Sequence, residues 1–122
     1  MSNIIFFDTE TTGVNSTDFL CQLAYKINDE TFYELYKPEI KIPAEASAVH
    51  HITNKMVENK ISFQKSPDFK KIKNLFEDAD SILVAHNAKF DLAIISFIAA
   101  VKASTAAPCF SKVCTSGMLI MP

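Results

Sequence analysis

The sequence contains no arginine and no tryptophan, only two glycines and three histidines, and no Asp, Glu, His or Tyr after residue 91. Each shortage narrows the reading. Without arginine, bidentate recognition of phosphate by a guanidinium fork is excluded, which leaves lysine point charges, backbone N–H groups or a metal ion. Twelve lysines against fourteen acidic residues give a net charge of −2, so no overall basic field draws in nucleic acid. Cys21, Cys109 and Cys114 are an odd number with no CxxC pair, which fits reduced thiols in a cytosolic protein better than a disulfide framework. No Cys/His set stands at zinc-ligand spacing. The N-terminus lacks the basic segment of a signal peptide, and its apolar run ends at Asp8. The longest apolar stretch, residues 92–101, is broken by Ser96 and too short for a bilayer. These features read as a soluble cytoplasmic domain with no membrane partner.

What is present suffices for one domain with a real core: 122 residues, 48% hydrophobic and 21% charged. Residues 3–8 read as a strand apolar enough to be covered on both faces. Residues 19–27 and 31–36 read as two more strands, joined by a tight turn at Asn28, Asp29 and Glu30, so that the three form an antiparallel meander. Pro38 and Pro43 bracket a loop, and residues 44–61 are irregular or short-helical. Ser66 as N-cap and Pro67 as first helical residue predict a helix with Asp68 in its first turn. Its inward face is Phe69, Ile72, Leu75, Phe76 and Ala79. Lys70, Lys71 and Lys73 lie outside, as a solvated face rather than a nucleic-acid patch. Residues 81–85 read as a buried strand, 91–102 as a buried helix, 109–115 as a last strand, and Ser116 onward as the first turn of another helix. The order predicts an α/β fold on a mixed sheet, antiparallel at first and parallel after the helices, in one domain over 1–122.

Two segments carry chemistry. In FDTETTG (7–13), Asp8 and Glu10 stand at i and i+2, on one face of a strand and about 6.5–7 Å apart along it. Like charges that close repel unless a cation lies between them, and hard oxygen donors suit Mg²⁺ or Mn²⁺. Gly13 is expected to permit a sharp turn out of the strand. Thr9, Thr11 and Thr12 offer hydroxyls and backbone donors at the same edge. In VAHNAKFD (84–91), His86 and Asn87 sit at a strand exit, and Asp91 opens the next helix, where the helix dipole favours a carboxylate. If the first and fourth strands are neighbours, Asp91 completes a nest of three carboxylates. The plainer alternative has Asp91 capping its helix and Glu10 at the surface.

FDTETTG and HNAKFD resemble the first two motifs of the DEDD-type 3′→5′ exonucleases, the DnaQ-like family of the DNA polymerase III epsilon subunit. AVHHIT (48–53) is similar to the segment between them that usually reads VHGIT. The resemblance implies a ribonuclease H-like sheet and a two-metal mechanism on Mg²⁺ or Mn²⁺. Asp8, Glu10 and Asp91 would be the catalytic metal ligands. It implies that Thr11 touches the terminal nucleotide through its backbone, with Thr9 and Gly13 at the same edge. Val49 and Phe90 would grip the last base, and His50 would lie beside its sugar or phosphate. His86 and Asn87 would border the substrate. Alternatively, His50 and His51 are a loop pair without contacts, His86 orders the strand exit, and Phe90 belongs to the core. The implied substrates are 3′ ends of single-stranded DNA or RNA, released as nucleoside monophosphates, and the implied partner is a DNA polymerase subunit.

The family's third motif brings a general base and a fourth carboxylate, and nothing after Asp91 supplies either. The expectation is a chain that stops before that motif. A catalytically inactive nucleic-acid-binding module on the same fold, or a base from a partner chain, are the alternatives. Three carboxylates kept near phosphate favour the exonuclease, because a binding module is better served by lysine.

Overall fold

In the computed structural model, the described residues are 3–15, 17–78, 80–86, 90, 91, 94, 113–115 and 118–120. The apolar start of the chain forms β1 (Asn3–Thr11), with Ile5, Phe7, Thr9 and Thr11 buried on one face. It is followed by β2 (Leu20–Ile27) and β3 (Glu30–Leu35), then α1 (Ala44–His50) and α2 (Asn54–Val57). A 3₁₀ turn at Phe63–Lys65 leads into α3 (Asp68–Glu77) and β4 (Ser81–Val84). The last described strands are β5 (Val113–Thr115) and β6 (Met118–Ile120). The sheet order is β3-β2-β1-β4-β5-β6, which puts β1 in the interior of the sheet. β1 runs antiparallel to β2 and parallel to β4, and β5 continues parallel to β4. This is the expected mixed sheet. Among the described residues no helix is long and apolar enough to cross a membrane.

The meander closes at Asn28, whose φ of 53° is one that asparagine tolerates better than most residues. The main core joins Ile5, Phe7, Leu23 and Tyr25 of the sheet to Ile72 and Phe76 of α3. Tyr36, fully buried, donates to Asp68 at 3.0 Å and so ties the end of the meander to the first turn of α3.

Four local expectations are corrected. β1 is not covered on both faces: Ile4 and Phe6 are 46% and 54% exposed, because α3 packs only on the Ile5 and Phe7 side. β1 also runs three residues past Asp8, since its pairing with β2 continues through Thr11. Ser66 does not cap α3; its hydroxyl donates to the Phe63 carbonyl at 2.7 Å, closing the 3₁₀ turn, and no side chain caps the helix. Within the segment expected to start a helix at Ser116, the described residues Met118–Ile120 are a strand: they pair antiparallel with β5, satisfying backbone groups that would otherwise form an open sheet edge. The expected buried helix is represented by Phe90, Asp91 and Ile94, all helical. Its remaining residues, together with Ala79 and residues 109–112, lie outside the described residues. Lys71 reaches Glu30 at 4.0 Å over the Phe32 ring, and Lys73 pairs with Glu77 at 2.9 Å, as a solvated helix face does.

α1 ends at His51, whose φ is 63° and whose N–H donates to the Ser47 carbonyl. A left-handed residue with a Cβ is strained by about 1–2 kcal/mol, partly offset by the chain entropy a glycine adds to the unfolded state. His51→Gly is therefore expected to stabilise the fold by about 0.5–1 kcal/mol, read as a higher denaturant midpoint. An unchanged or lower midpoint would contradict this account of the helix end.

Candidate active site

The site gathers at the C-terminal end of β1. Asp8 and Glu10 project from its open face, Asp8 exposed and Glu10 half-buried. Burial raises the Glu10 carboxyl above its ordinary range, Asp8 raises it further, and His50 opposes both. On the other face, Thr9 Oγ1 donates to Asp91 Oδ1 at 2.5 Å, linking β1 to the helical residues Phe90 and Asp91 that follow β4. Asp91 is only 3% exposed, and among the described residues its Oδ2 has no hydrogen-bond partner. Burial pushes its carboxyl up to about 6; the Thr9 bond opposes this, and the charges of Asp8 and Glu10 add to it.

Three carboxylates thus lie within one another's field. A buried oxygen with no donor is one a cation would satisfy, and an all-oxygen donor set suits Mg²⁺ or Mn²⁺. The residues fit a divalent ion chemically. Among the described residues no three acidic, imidazole or thiol groups converge into a ready ligand cage.

A pocket of about 670 Å³ opens beside these groups, a volume suited to a small-molecule or nucleotide ligand. One wall is the end of β1 and the loop after it, with Gly13, Val14, Asn15 and Asp18; the other is α1, with Glu45, Val49 and His50, and Phe90 also faces it. The loop is held by the Asp18 carboxylate, which accepts from Thr12 Oγ1 and from the Asn15 N–H, each at 2.9 Å. The Phe19 N–H in turn donates to Thr12 Oγ1 at 3.0 Å. Gly13 is small for a different reason than expected. Its φ is not in the left-handed region, but a Cβ there would collide with the Asp18 carboxylate, 2.8 Å from Cγ.

His50 uses both ring nitrogens on the main chain. Nδ1 accepts from the Ile52 N–H at 3.1 Å, so Nε2 carries the hydrogen that it donates to the Thr11 carbonyl at 3.0 Å. Thr11 Oγ1 donates to the Gly13 carbonyl at 2.5 Å. Burial, with Glu10 adding to it, pushes the Cys21 thiol up to about 12, which makes it unreactive. Val49 is 78% exposed, and Phe90 is half-buried against the core. His86 is exposed in the turn after β4, and Asn87 lies outside the described residues.

Several pocket residues escaped the sequence reading, Val14, Asp18 and Glu45 among them. Val14, 89% exposed, adds a third apolar side chain to the rim; an isolated valine between Gly13 and Asn15 was the available signal. Asp18 and Glu45 sit in segments without periodicity, and nothing local marked them.

Comparison with known proteins decides the family. The exonuclease family model, RNase T, matches residues 5–100. The chain belongs to the exonuclease family. It is 37% identical over 106 residues to the DNA polymerase III subunit epsilon of Buchnera aphidicola from Acyrthosiphon pisum, covering 75% of this chain and 42% of that protein. A DNA polymerase III subunit epsilon-like protein of Rhodobacter capsulatus is 36% identical over 99 residues, covering 72% of this chain and 13% of that protein. The exonuclease domain therefore spans less than half the length of either relative. E. coli exonuclease I, in complex with a dT13 oligonucleotide, superposes with a TM-score of 0.74 at 20% identity, over 91% of this chain and 26% of that one. That likeness supports the ribonuclease H-like fold.

Two outcomes follow from this geometry. Gly13→Ala should displace Asp18 from its two donors and destabilise the exonuclease domain by about 1–3 kcal/mol, with Gly13→Ala/Asp18→Ala losing less than the sum of the single variants. Additive losses would refute the contact. The raised Asp91 carboxyl, about 6 against an ordinary 3.8, means that the folded chain holds this proton more tightly than the unfolded one. The resulting stabilisation is complete below about pH 4 and is lost as pH rises through about 6. Glu10, also raised, acts with the same sign. Denaturant midpoints of the metal-free protein should fall across that window, and Asp91→Asn should flatten the slope; equal slopes would remove Asp91 as its source.

Proposed function

We propose that this exonuclease domain hydrolyses the terminal phosphodiester at 3′ ends of single-stranded DNA or RNA, releasing nucleoside monophosphates in a reaction that requires divalent ions. The observation that carries this reading is the buried Asp91 Oδ2, without a partner among the described residues, within the electrostatic reach of Asp8 and of Glu10, which lines a nucleotide-sized pocket. Asp8, Glu10 and Asp91 would hold two Mg²⁺ or Mn²⁺ ions, as expected for this family. Bound there, the ions supply polarisation of the attacking water and stabilisation of the leaving 3′ oxygen.

The chain's own residues do the rest. Val14, Val49 and Phe90 offer an apolar surface to a base, a contact that tolerates any sequence. Thr9 holds Asp91 in place, and the backbone around Thr11 lines the pocket where the terminal nucleotide would lie. Glu10, Asp18 and Glu45 line that pocket, and no lysine does among the described residues. A phosphodiester entering it meets negative charge, so binding as well as chemistry depends on the cation. The second reading is a nucleic-acid-binding module without catalysis on the same fold. A DNA polymerase subunit as partner accords with the relatives named for that enzyme.

A 5′-labelled single-stranded oligonucleotide with Mn²⁺ tests the proposal. Stepwise shortening from the 3′ end, lost by roughly 10²-fold or more in Asp8→Ala, is the expected result. Mn²⁺-dependent binding without shortening would select the binding module. Failure to bind Mn²⁺ at all would overturn the carboxylate site.

A further inference from the structure

The ladder between β1 and β2 breaks register beside the carboxylates. Glu10 faces Gln22 while Thr11 faces Leu20, which leaves Cys21 as an extra residue on β2. A bulge of this kind re-aims the side chains around it, and its backbone needs some other restraint. The Cys21 carbonyl accepts from the Tyr36 N–H at 2.9 Å, and the Thr12 N–H donates to the Phe19 carbonyl at 3.0 Å beyond the break. On the α1 side the contact is His50. Its Nε2–H donates to the Thr11 carbonyl at 3.0 Å, and the Cys21 sulfur lies 3.9 Å from the same nitrogen. Nδ1 is occupied by the Ile52 N–H. One imidazole therefore ties together the last residue of α1, the chain leaving that helix and both strands at the bulge.

α1 has little else to hold it to the sheet by polar contact. None of its residues is fully buried. The other side-chain bonds of this segment run within it, from Ser47 Oγ to the Ile52 carbonyl at 2.7 Å and between Asn54 and Ile42. Among the described residues, His50 makes the only hydrogen bonds from α1 to the sheet. Yet α1 supplies the pocket wall that carries Glu45 and Val49.

We propose that His50 is a positioning residue. By holding the Thr11 carbonyl, it fixes the direction in which Glu10 presents its carboxylate and the separation of the α1 wall from the end of β1. This rests on Asp8, Glu10 and Asp91 being the metal ligands. With both ring nitrogens bonded to main chain, none is left for a sugar or phosphate, so His50 acts through Thr11 and Glu10 rather than on substrate.

Two substitutions separate the functions of the ring. In His50→Gln, the amide nitrogen reaches the place of Nε2 and can donate to Thr11. In His50→Asn, the side-chain carbonyl can replace Nδ1 as acceptor for Ile52, but nothing reaches Thr11. His50→Asn is expected to weaken Mn²⁺ binding by about 10- to 100-fold, the usual loss when a ligand's supporting contact is removed, and to move the amide resonances of residues 10–12. His50→Gln is expected to retain wild-type behaviour in both. Equal losses in the two variants would overturn the proposal. So would weakened binding of a nucleoside monophosphate with unchanged Mn²⁺ affinity, because that result assigns His50 to substrate.

Absence of Mn²⁺ binding by the wild-type chain would instead sink the metal reading, and the amide shifts then decide the clamp alone. Moved by Asn and not by Gln, they uphold it; unmoved by both, they overturn it. Side-chain ¹⁵N spectra of the wild-type protein give a check that needs no variant. Hydrogen on Nε2 of His50 is expected, and hydrogen on Nδ1 would refute the arrangement.

Discussion

The hydrogen bond from Thr9 to Asp91 is the contact on which the site depends. It joins residues 82 apart in sequence, and it does so with a carboxylate that is almost wholly buried. Burying a charge is unfavourable by several kcal/mol unless it is paired or bound by a cation. One charge-assisted hydrogen bond offsets part of that penalty, and among the described residues Oδ2 has no partner. The fold thus holds an acidic group where stability alone would not put one. Departures of this kind concentrate where chemistry is done.

The sheet makes the arrangement possible through alternation. Along β1, residues 5, 7, 9 and 11 face the core while 4, 6, 8 and 10 face outward. Thr9 can therefore hold Asp91 from one side while Asp8 and Glu10 stand on the other. The central place of β1, between β2 and β4, brings the helix that follows β4 within reach of Thr9. The core of Ile5, Phe7, Ile72 and Phe76 fixes the strand from below. Near the site the ladder irregularity, the Asp18 clasp and His50 take over from regular pairing. Regular structure sets the positions of the carboxylates, and irregular structure shapes the pocket around them.

That division explains what the sequence could disclose. The apolar run before Asp8, the i, i+2 spacing of Asp8 and Glu10, and the Ser-Pro-Asp start of α3 are local signals, and the elements they mark stand where those signals point. The two-sided cover expected for β1 failed because an apolar run alone does not say whether one face or both will be packed. Three apolar residues, Met118 to Ile120, are too short a run to tell a helix start from a strand, and pairing with β5 decides it. Gly13 was noticed for its freedom of rotation, whereas its neighbour Asp18 requires its lack of a side chain. The bonds of His50 had no local signal, because its partners Thr11 and Cys21 lie 39 and 29 residues away. Contacts at such separations have no local pattern.

Electrostatics link composition to the site. A chain without arginine that binds phosphate commonly brings lysine or helix N-termini to the anion. Here the described pocket wall carries Glu10, Asp18 and Glu45, while Lys60 pairs with Glu34 and Lys73 with Glu77 away from it. On the proposed reading, negative charge surrounds the place where a phosphodiester would lie, and attraction would come from a cation that the carboxylates recruit. Affinity for the cation and affinity for the nucleotide are then thermodynamically linked: each ligand strengthens the other's binding by the same factor. In such a site, weakening the carboxylates weakens substrate binding even where no protein atom touching the substrate has changed.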